Sequence, residues 1–510
     1  MLPVDPSFEL SASVDEVRVE MGGRLDPTRR AEFGQFMTPA GIARFMASLF
    51  EARRSTIRLL DAGAGVGSLT AACVERFAAR KDAPSKIEVT AYEVDSLLAE
   101  RLRQTLRACG SSARSCGVAF EATLRSEDFI AAASAALAAG FSSARKDRGF
   151  DAIVLNPPYR KLGSHSLERE MLRSAGIETS NLYTAFVALA LRLLEPGGEL
   201  VAITPRSFCN GPYFRAFREI LLRESSLQRV HIFESRDRAF SADDVLQENL
   251  IIHLKKGGAR GPVVLSVSAG PEDEVRSRVV RHEDIVDPDD QNLVIHLPLS
   301  SEDAEFAKRM RRLPSTLEDL RVSVSTGRVV DFRARPHLRA EPGPKTVPLV
   351  YPTHFADGFV AWPKTRSRKP NALADVAATR DLMVPNGVYV LTRRFSSKEE
   401  RRRVVAAVFD PTRLPSPVAY VGFENHLNYF HAAGAGLPKA LALGLAVFLN
   451  STLVDRYFRQ FNGHTQVNAT DLRSLRYPSL ADLRAMGKGL TRELGDQSRV
   501  DAILDRVLSA

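Results

Sequence analysis

The stretch Leu59-Leu60-Asp61-Ala62-Gly63-Ala64-Gly65-Val66-Gly67 constrains the fold of this chain more than any other. An apolar run ends in three alternating glycines and passes straight into a helical pattern. Glycines at 63, 65 and 67 let the backbone turn tightly and approach a ligand closely, as at the first turn of a nucleotide-binding α/β sheet. The surroundings repeat the unit. From Phe33 to about Gly257, short apolar runs alternate with helical periodicity. The pattern predicts strands at Ile57–Asp61, Ile87–Glu93, Phe150–Leu155, Glu199–Thr204, Arg229–Phe233 and Asn249–Leu254. It predicts helices at Gly67–Arg80, Asp95–Ala108 and Asn181–Leu194, the last stopping at Pro196-Gly197-Gly198. Two ligands suit the glycine loop: a dinucleotide phosphate and the amino-acid end of S-adenosylmethionine. Glu93, closing the second strand, can accept the ribose hydroxyls of either. Asp128, after a third strand, is placed for an adenine amine.

At 510 residues the chain exceeds one ordinary domain. The βαβ rhythm stops after Lys256-Gly257-Gly258, Ala259 to Leu297 reads as short strands and polar connections, and a helix is predicted at Ser301–Arg312. The expected division is an N-terminal arm (1–30), an α/β domain (31–258), a connecting region (259–314) and an irregular α+β domain (315–510). The net charge of +9 suits a polyanionic partner, because cations set on phosphates release counterions. The last domain carries Arg366-Ser367-Arg368-Lys369, Arg393-Arg394 and Arg401-Arg402-Arg403, mixed with Trp362, Tyr389 and Phe395. Cys73, Cys109, Cys116 and Cys209 lack the paired short spacing of a zinc site, so reduced thiols and no metal are expected. Met1–Glu20 is too acidic for a signal peptide, and the longest apolar run, Ala440–Leu449, is too short for a membrane span. A cytoplasmic protein with no membrane partner is the expectation.

Phe150-Asp151-Ala152-Ile153-Val154-Leu155-Asn156-Pro157-Pro158-Tyr159 narrows the chemistry. An apolar strand ends in Asn-Pro-Pro-Tyr at the carboxyl edge, where α/β sheets keep their sites. Two prolines fix the backbone and remove two amide donors. The Asn156 side chain and the Pro157 carbonyl are left as rigid acceptors. An exocyclic amine donating both hydrogens to them is drawn toward sp³ geometry, and its lone pair is freed to attack a sulfonium methyl. No strong base is needed; positioning and electrostatics suffice. Tyr159 offers a face on which a base can stack. This chemistry serves adenine N6, cytosine N4 and a glutamine amide equally.

With these motifs the chain resembles the γ-class N6-adenine DNA methyltransferases, the TaqI-like group, and within it the PstI/BsuBI-type modification enzymes. Gly34-Gln35-Phe36-Met37-Thr38-Pro39 before an amphipathic helix matches the cofactor motif that precedes the glycine loop. Asn181-Leu182-Tyr183-Thr184-Ala185-Phe186 matches the helix after the catalytic strand. The resemblance implies a Rossmann-like S-adenosylmethionine-dependent methyltransferase domain followed by a C-terminal α+β target-recognition domain. It implies Thr38, Asp61, Gly63, Gly65, Gly67, Glu93, Asp128, Asn156 and Phe186 about the cofactor, with Thr38 capping the helix after it. Asn156, Pro157, Pro158 and Tyr159 are implied as catalytic, and Phe240 as an aromatic stacked on an adenine flipped out of duplex DNA. Asp61-Ala62-Gly63 departs from relatives that keep a proline after the acid. The implied partners are double-stranded DNA and a separately encoded restriction endonuclease, with CTGCAG as the first site to test. Phe461 to Leu472 resembles the end of the recognition domain in this group, and Ser325-Thr326-Gly327-Arg328 is read as its start. Two alternatives stand beside this one: an RNA adenine-N6 methyltransferase, and a non-catalytic DNA-binding protein on the same scaffold.

Overall fold

A computed structural model of the chain describes residues 9–25, 36–138, 149–234, 248–397, 399–463, 465–490 and 493–509. It divides into two compact units, Met1–Leu299 and Ser300–Ala510.

The first unit is built on a nine-stranded sheet. In chain order the strands are β1 (Thr56–Ala62), β2 (Lys86–Tyr92), β3 (Ala119–Arg125), β4 (Phe150–Leu155), β5 (Leu194–Pro205), β6 (Ser225–Phe233), β7 (Asn249–Lys256), β8 (Val263–Ser268) and β9 (Arg276–Val280). Their order across the sheet is β3-β2-β1-β4-β5-β7-β6-β8-β9. β3, β2, β1, β4 and β5 run parallel, and β7 enters antiparallel between β5 and β6. The chain reverses direction across the sheet between β1 and β4, and such a switch point opens a crevice at the carboxyl ends of the two strands.

The helices that concern the site are α1 (Glu9–Arg24), α2 (Ala40–Ser48), α3 (Ser68–Ala78), α4 (Ser96–Ser115), α5 (Phe129–Ala138), α6 (Leu167–Ser174) and α7 (Leu182–Leu193). Helix α7 is apolar all round, and ten of its twelve residues from Leu182 to Leu191 are buried without interruption. A helix of that kind belongs inside a core. Asp95 starts α4 by accepting from the Leu97 and Leu98 amides.

Three expectations need correction. The segment after Gly258 is no connector: β8 pairs parallel with β6 and antiparallel with β9, so it completes the sheet, and the boundary falls at Leu299. The N-terminal stretch is no arm. Val14 and Met21 of α1 are buried in the same core as α2 and α3, and Leu10 and Ser11 bond the Glu75 carboxylate of α3. Pro196-Gly197-Gly198 does not precede β5 but forms a bulge within it: Phe150 pairs with Leu194, whereas Ala152 pairs with Glu199. The strand β3, expected before Asp128 but marked by no apolar run, lies at the sheet edge and is largely exposed, so it lacks the apolar signature.

The second unit holds a six-stranded and a five-stranded sheet of short, mostly antiparallel strands with helices beside them. Its first helix, Ser301–Arg311, begins with a reciprocal cap between Ser300 and Asp303. The apolar run at 440–449 is a buried helix, Lys439–Leu449. Gly444 of that helix and Gly487 of Leu480–Gly487 let the two backbones touch, where any Cβ would collide. Among the described residues no single helix is long and apolar enough to cross a membrane.

Candidate active site

A cavity of roughly 300 Å³ opens at the switch point. Gly63, Ala64 and Gly65 form its floor, in the loop that leaves β1. Gly63 and Gly65 have φ of 81° and 58°, the left-handed region that favours glycine. The Gly63 and Ala64 amides donate to the Tyr92 carbonyl at 3.0 and 2.8 Å, tying the loop to the end of β2. Gly67 does different work from that expected of it. It does not line the cavity, and a Cβ there would come within 2.8 Å of Leu102 and Thr105, so it serves the packing of α3 on α4.

Glu93 stands at the rim with 7% exposure. Its two oxygens accept from the Gly65 and Asp95 amides, each at 2.8 Å, and burial raises its carboxyl above the ordinary range. Asp128 also borders the cavity and is exposed. One of its oxygens takes the Ala131 amide at 2.9 Å and caps α5, leaving the other for a ligand. Phe186 lies against Phe129 with ring centres 5.0 Å apart, and Phe129 meets Tyr92 edge-on at 5.3 Å. The three rings make an aromatic wall that sequence reasoning found only at Phe186.

Asp61 is the residue whose position differs most from a ligand-contacting one. It is fully buried in β1 and outside the cavity lining. Its Oδ2 accepts from the Thr70 hydroxyl at 2.7 Å, while Oδ1 is buried without a partner among the described residues. Burial pushes its pKa up to about 7, with a smaller push from Glu93. Ser68 Oγ, on the cavity wall, is likewise buried without a partner. A polar group entering the cavity would satisfy it.

Asn156 follows β4 and faces the cavity beside Pro158. Its Nδ2 donates to the Phe36 carbonyl at 2.7 Å and to Thr38 Oγ1 at 3.0 Å. Both amide hydrogens are thereby spent on the segment before α2. Oδ1 is left as an acceptor, with the Tyr159 hydroxyl at 3.4 Å. Thr38 therefore orients Asn156; it does not cap α2. The cap comes from Asp15 of α1, whose Oδ1 accepts from the Ala40 amide at 2.9 Å and pairs with Arg18 at 2.7 Å. Asp15 was invisible in the sequence because 25 positions separate it from its partner. Pro157 is buried. The Tyr159 ring sits edge-on to Tyr183 at 6.1 Å, and burial raises its phenol above the ordinary range. Phe240 lies outside the described residues. Arg160 and Glu168, 3.6 Å apart, flank the opening, and neither was anticipated.

Among the described residues no group of histidine, cysteine or acidic side chains could hold a metal ion. Cys73, Cys109 and Cys209 are buried, and burial pushes the thiols of the last two up to about 12. None is poised as a nucleophile.

A cavity able to seat a nucleoside, with an amide acceptor fixed at its mouth by its own hydrogens, defines a Rossmann-like methyltransferase. Comparison with known proteins narrows the class. A family model described as Eco57I restriction-modification methylase matches residues 91–240. The type II methyltransferase M.PstI of Providencia stuartii is 45% identical over 503 residues, 98% of each chain. M.BsuBI of Bacillus subtilis is 43% identical over 505 residues, again 98% of each. The type IIL restriction-modification enzyme MmeI, solved in complex with DNA, shares the fold with a TM-score of 0.54 at 11% identity, over 92% of this chain and 72% of its own.

The chain belongs to the type II methyltransferases, in the family of M.PstI and M.BsuBI. It is a DNA methyltransferase of the restriction-modification class, and its cofactor is S-adenosylmethionine.

Proposed function

We propose that the protein methylates the exocyclic N6 amine of adenine within one specific duplex sequence, as the modification half of a restriction system or alone. The observation that carries methyl transfer to an exocyclic amine is the Asn156 amide, and the choice of adenine rests on the resemblance to the γ-class enzymes. With Nδ2 bound to Phe36 and Thr38, Oδ1 is held as an acceptor and has little freedom to rotate away. Bound S-adenosylmethionine supplies an electrophilic methyl group. The chain's own residues supply the rest. Oδ1 of Asn156 and the Pro157 carbonyl accept the two amine hydrogens and localise the nitrogen lone pair. Tyr159 and Phe240 hold the flipped base between aromatic faces. Glu93 takes the cofactor ribose, Asp128 its adenine amine, and Phe186 its ring. Ser68, unpaired and buried on the cavity wall, is added here as a partner for the methionine end. Asp61 acts beneath the loop, through Thr70. The second unit would recognise the target sequence, and a separately encoded endonuclease would cut the same sequence when unmethylated.

The test is single-molecule sequencing of DNA from cells expressing the wild type or Asn156→Ala, with modified bases identified. One motif carrying N6-methyladenine only with the wild type supports enzyme, base and site together. Methylcytosine in that motif would overturn the choice of base. An unmodified genome, from protein that still binds S-adenosylmethionine, would redirect the reading to RNA.

A further inference from the structure

The arginine-rich stretches of the second unit face different surroundings. Arg393 pairs with Glu400 at 2.9 Å, Arg402 donates to the Asn450 carbonyl, and Arg403 is buried against Ser396 Oγ and Asn462 Oδ1. Those cations hold the unit together. Arg366 and Arg368 are exposed, and among the described residues neither has a carboxylate partner. A second basic run, Arg333, Arg335 and Arg339, is exposed as well and lies alongside. Contacts at both ends fix that juxtaposition. Asp331 accepts from Lys369 Nζ and from the Tyr351 hydroxyl, each at 2.7 Å. A few residues on, Leu338–Arg339 pairs antiparallel with Ala372–Ala374, and the Asn371 amide donates to the Ala340 carbonyl at 3.1 Å.

Phe332 stands in this basic seam with 75% of its surface exposed, and the Arg333 guanidinium lies 5.4 Å from its ring centre. An apolar protein partner would cover the ring only by desolvating several unpaired guanidinium groups, which is costly. A nucleic acid suits both features, because it offers phosphates on its outside and apolar base faces at any opened step. We propose that this seam is a DNA-gripping surface, in which Arg333, Arg335, Arg366 and Arg368 meet phosphates and Phe332 wedges against a base step of the duplex. The proposal rests on the reading of duplex DNA as substrate and adds to it a place and a wedge residue. Phe332 is distinct from the aromatics at the methylated base.

The experiment measures binding of the full chain to a fluorescein-labelled DNA duplex across a salt series, with Phe332→Ala, Phe332→Trp, Arg333→Ala and Arg368→Ala. Each arginine variant is expected to shallow the slope of log affinity against log salt by about 0.9, the loss of one phosphate contact. Phe332→Ala is expected to leave that slope unchanged while weakening binding about tenfold, with Phe332→Trp restoring it. S-adenosylmethionine affinity, read by calorimetry, should be unchanged in all four. Wild-type affinity and slope in all four would overturn the surface while leaving the methyltransferase reading intact, provided Asn156→Ala still abolishes methylation. Unchanged DNA binding with loss of self-association in Phe332→Ala would overturn it by assigning the ring to a second copy. A wild-type protein that binds no duplex would overturn both readings.

Discussion

In the first unit much of the cavity wall comes from short continuous stretches of sequence; in the second, polar networks join single residues over long distances. Gly63 to Gly65 and Asn156 to Tyr159 are each one loop at the end of one strand, and the parallel sheet delivers both to the same edge. The second unit joins Arg403 to Asn462 across 59 positions and Ser325 Oγ to His431 across 106. Parallel sheets concentrate chemistry at strand ends, so their sites are written as short words. Short antiparallel strands build polar networks from scattered positions. The lesson is that a basic or polar cluster in the second unit has no meaning until its partners are known, whereas a motif in the first marks its stretch of the cavity locally even where the groups that orient it, as Phe36 and Thr38 orient Asn156, are distant.

The largest expected effect tests whether a residue inside such a motif always faces the ligand. Asp61 belongs to the glycine-loop word yet is fully buried, with a pKa of about 7. That value lies above the ordinary 3.8, so between the two the folded protein binds more protons than the unfolded chain. The stabilising contribution is complete below about pH 4 and is lost as pH rises through about 7; integrated over the interval it amounts to roughly 4 kcal/mol. Thermal melts of the cofactor-free protein across that range should show the decline, and Asp61→Asn should remove it. An identical pH slope in Asp61→Asn would mean that the aspartate ionises freely and belongs with the ligand-facing residues.

The next effect probes the other side of the comparison. Arg403 is part of the most basic triplet in the sequence, yet only 3% of it is exposed. Arg403→Ala removes its bonds to Ser396 and Asn462 and leaves buried polar atoms unpaired. It should cost about 2–3 kcal/mol in urea denaturation and leave the salt dependence of DNA binding unchanged. A shallower salt slope would place the triplet on the DNA and dissolve the distinction drawn between the arginine stretches.

Legibility in the sequence followed the same divide. The six strand runs named from apolar patterning all fall on strands of the sheet, because a strand buried on both faces reads as a continuous apolar run. β3 is expected before Asp128 but leaves no apolar run because it is an exposed edge, and the short strands β8 and β9 read as part of a connecting region because they follow a glycine pair that mimics a domain boundary. Of the residues expected about the cofactor, Thr38, Gly63, Gly65, Glu93, Asp128, Asn156 and Phe186 line one cavity, whereas Asp61 and Gly67 lie behind it. Glycine at 67 was readable as a turn but not as a packing contact, since Leu102 and Thr105 are a helix away. In the second unit Tyr389, read with the aromatics mixed among the basic stretches, is buried core, while Phe332, exposed, sits in no recognised pattern.

The smallest effect concerns a link by which the first unit, too, works across sequence distance. Asp15 reaches across 25 positions to cap α2, and the segment just before that helix supplies both acceptors that fix Asn156. Asp15→Ala should cost about 1 kcal/mol, the usual loss for a helix cap, and lower the melting temperature by a few degrees. If α1 is only scaffold, methylation at saturating cofactor and DNA will be unchanged below the melt. If the cap positions the amide, turnover will fall severalfold at constant stability margin. Asp15→Asn, which keeps an acceptor for the Ala40 amide but gives up the charge toward Arg18, should then recover turnover more fully than thermal stability. Loss of turnover in the asparagine variant equal to that in alanine would assign the effect to the ion pair with Arg18 instead of the cap, and would make charge on α1 the quantity that sets the Asn156 amide.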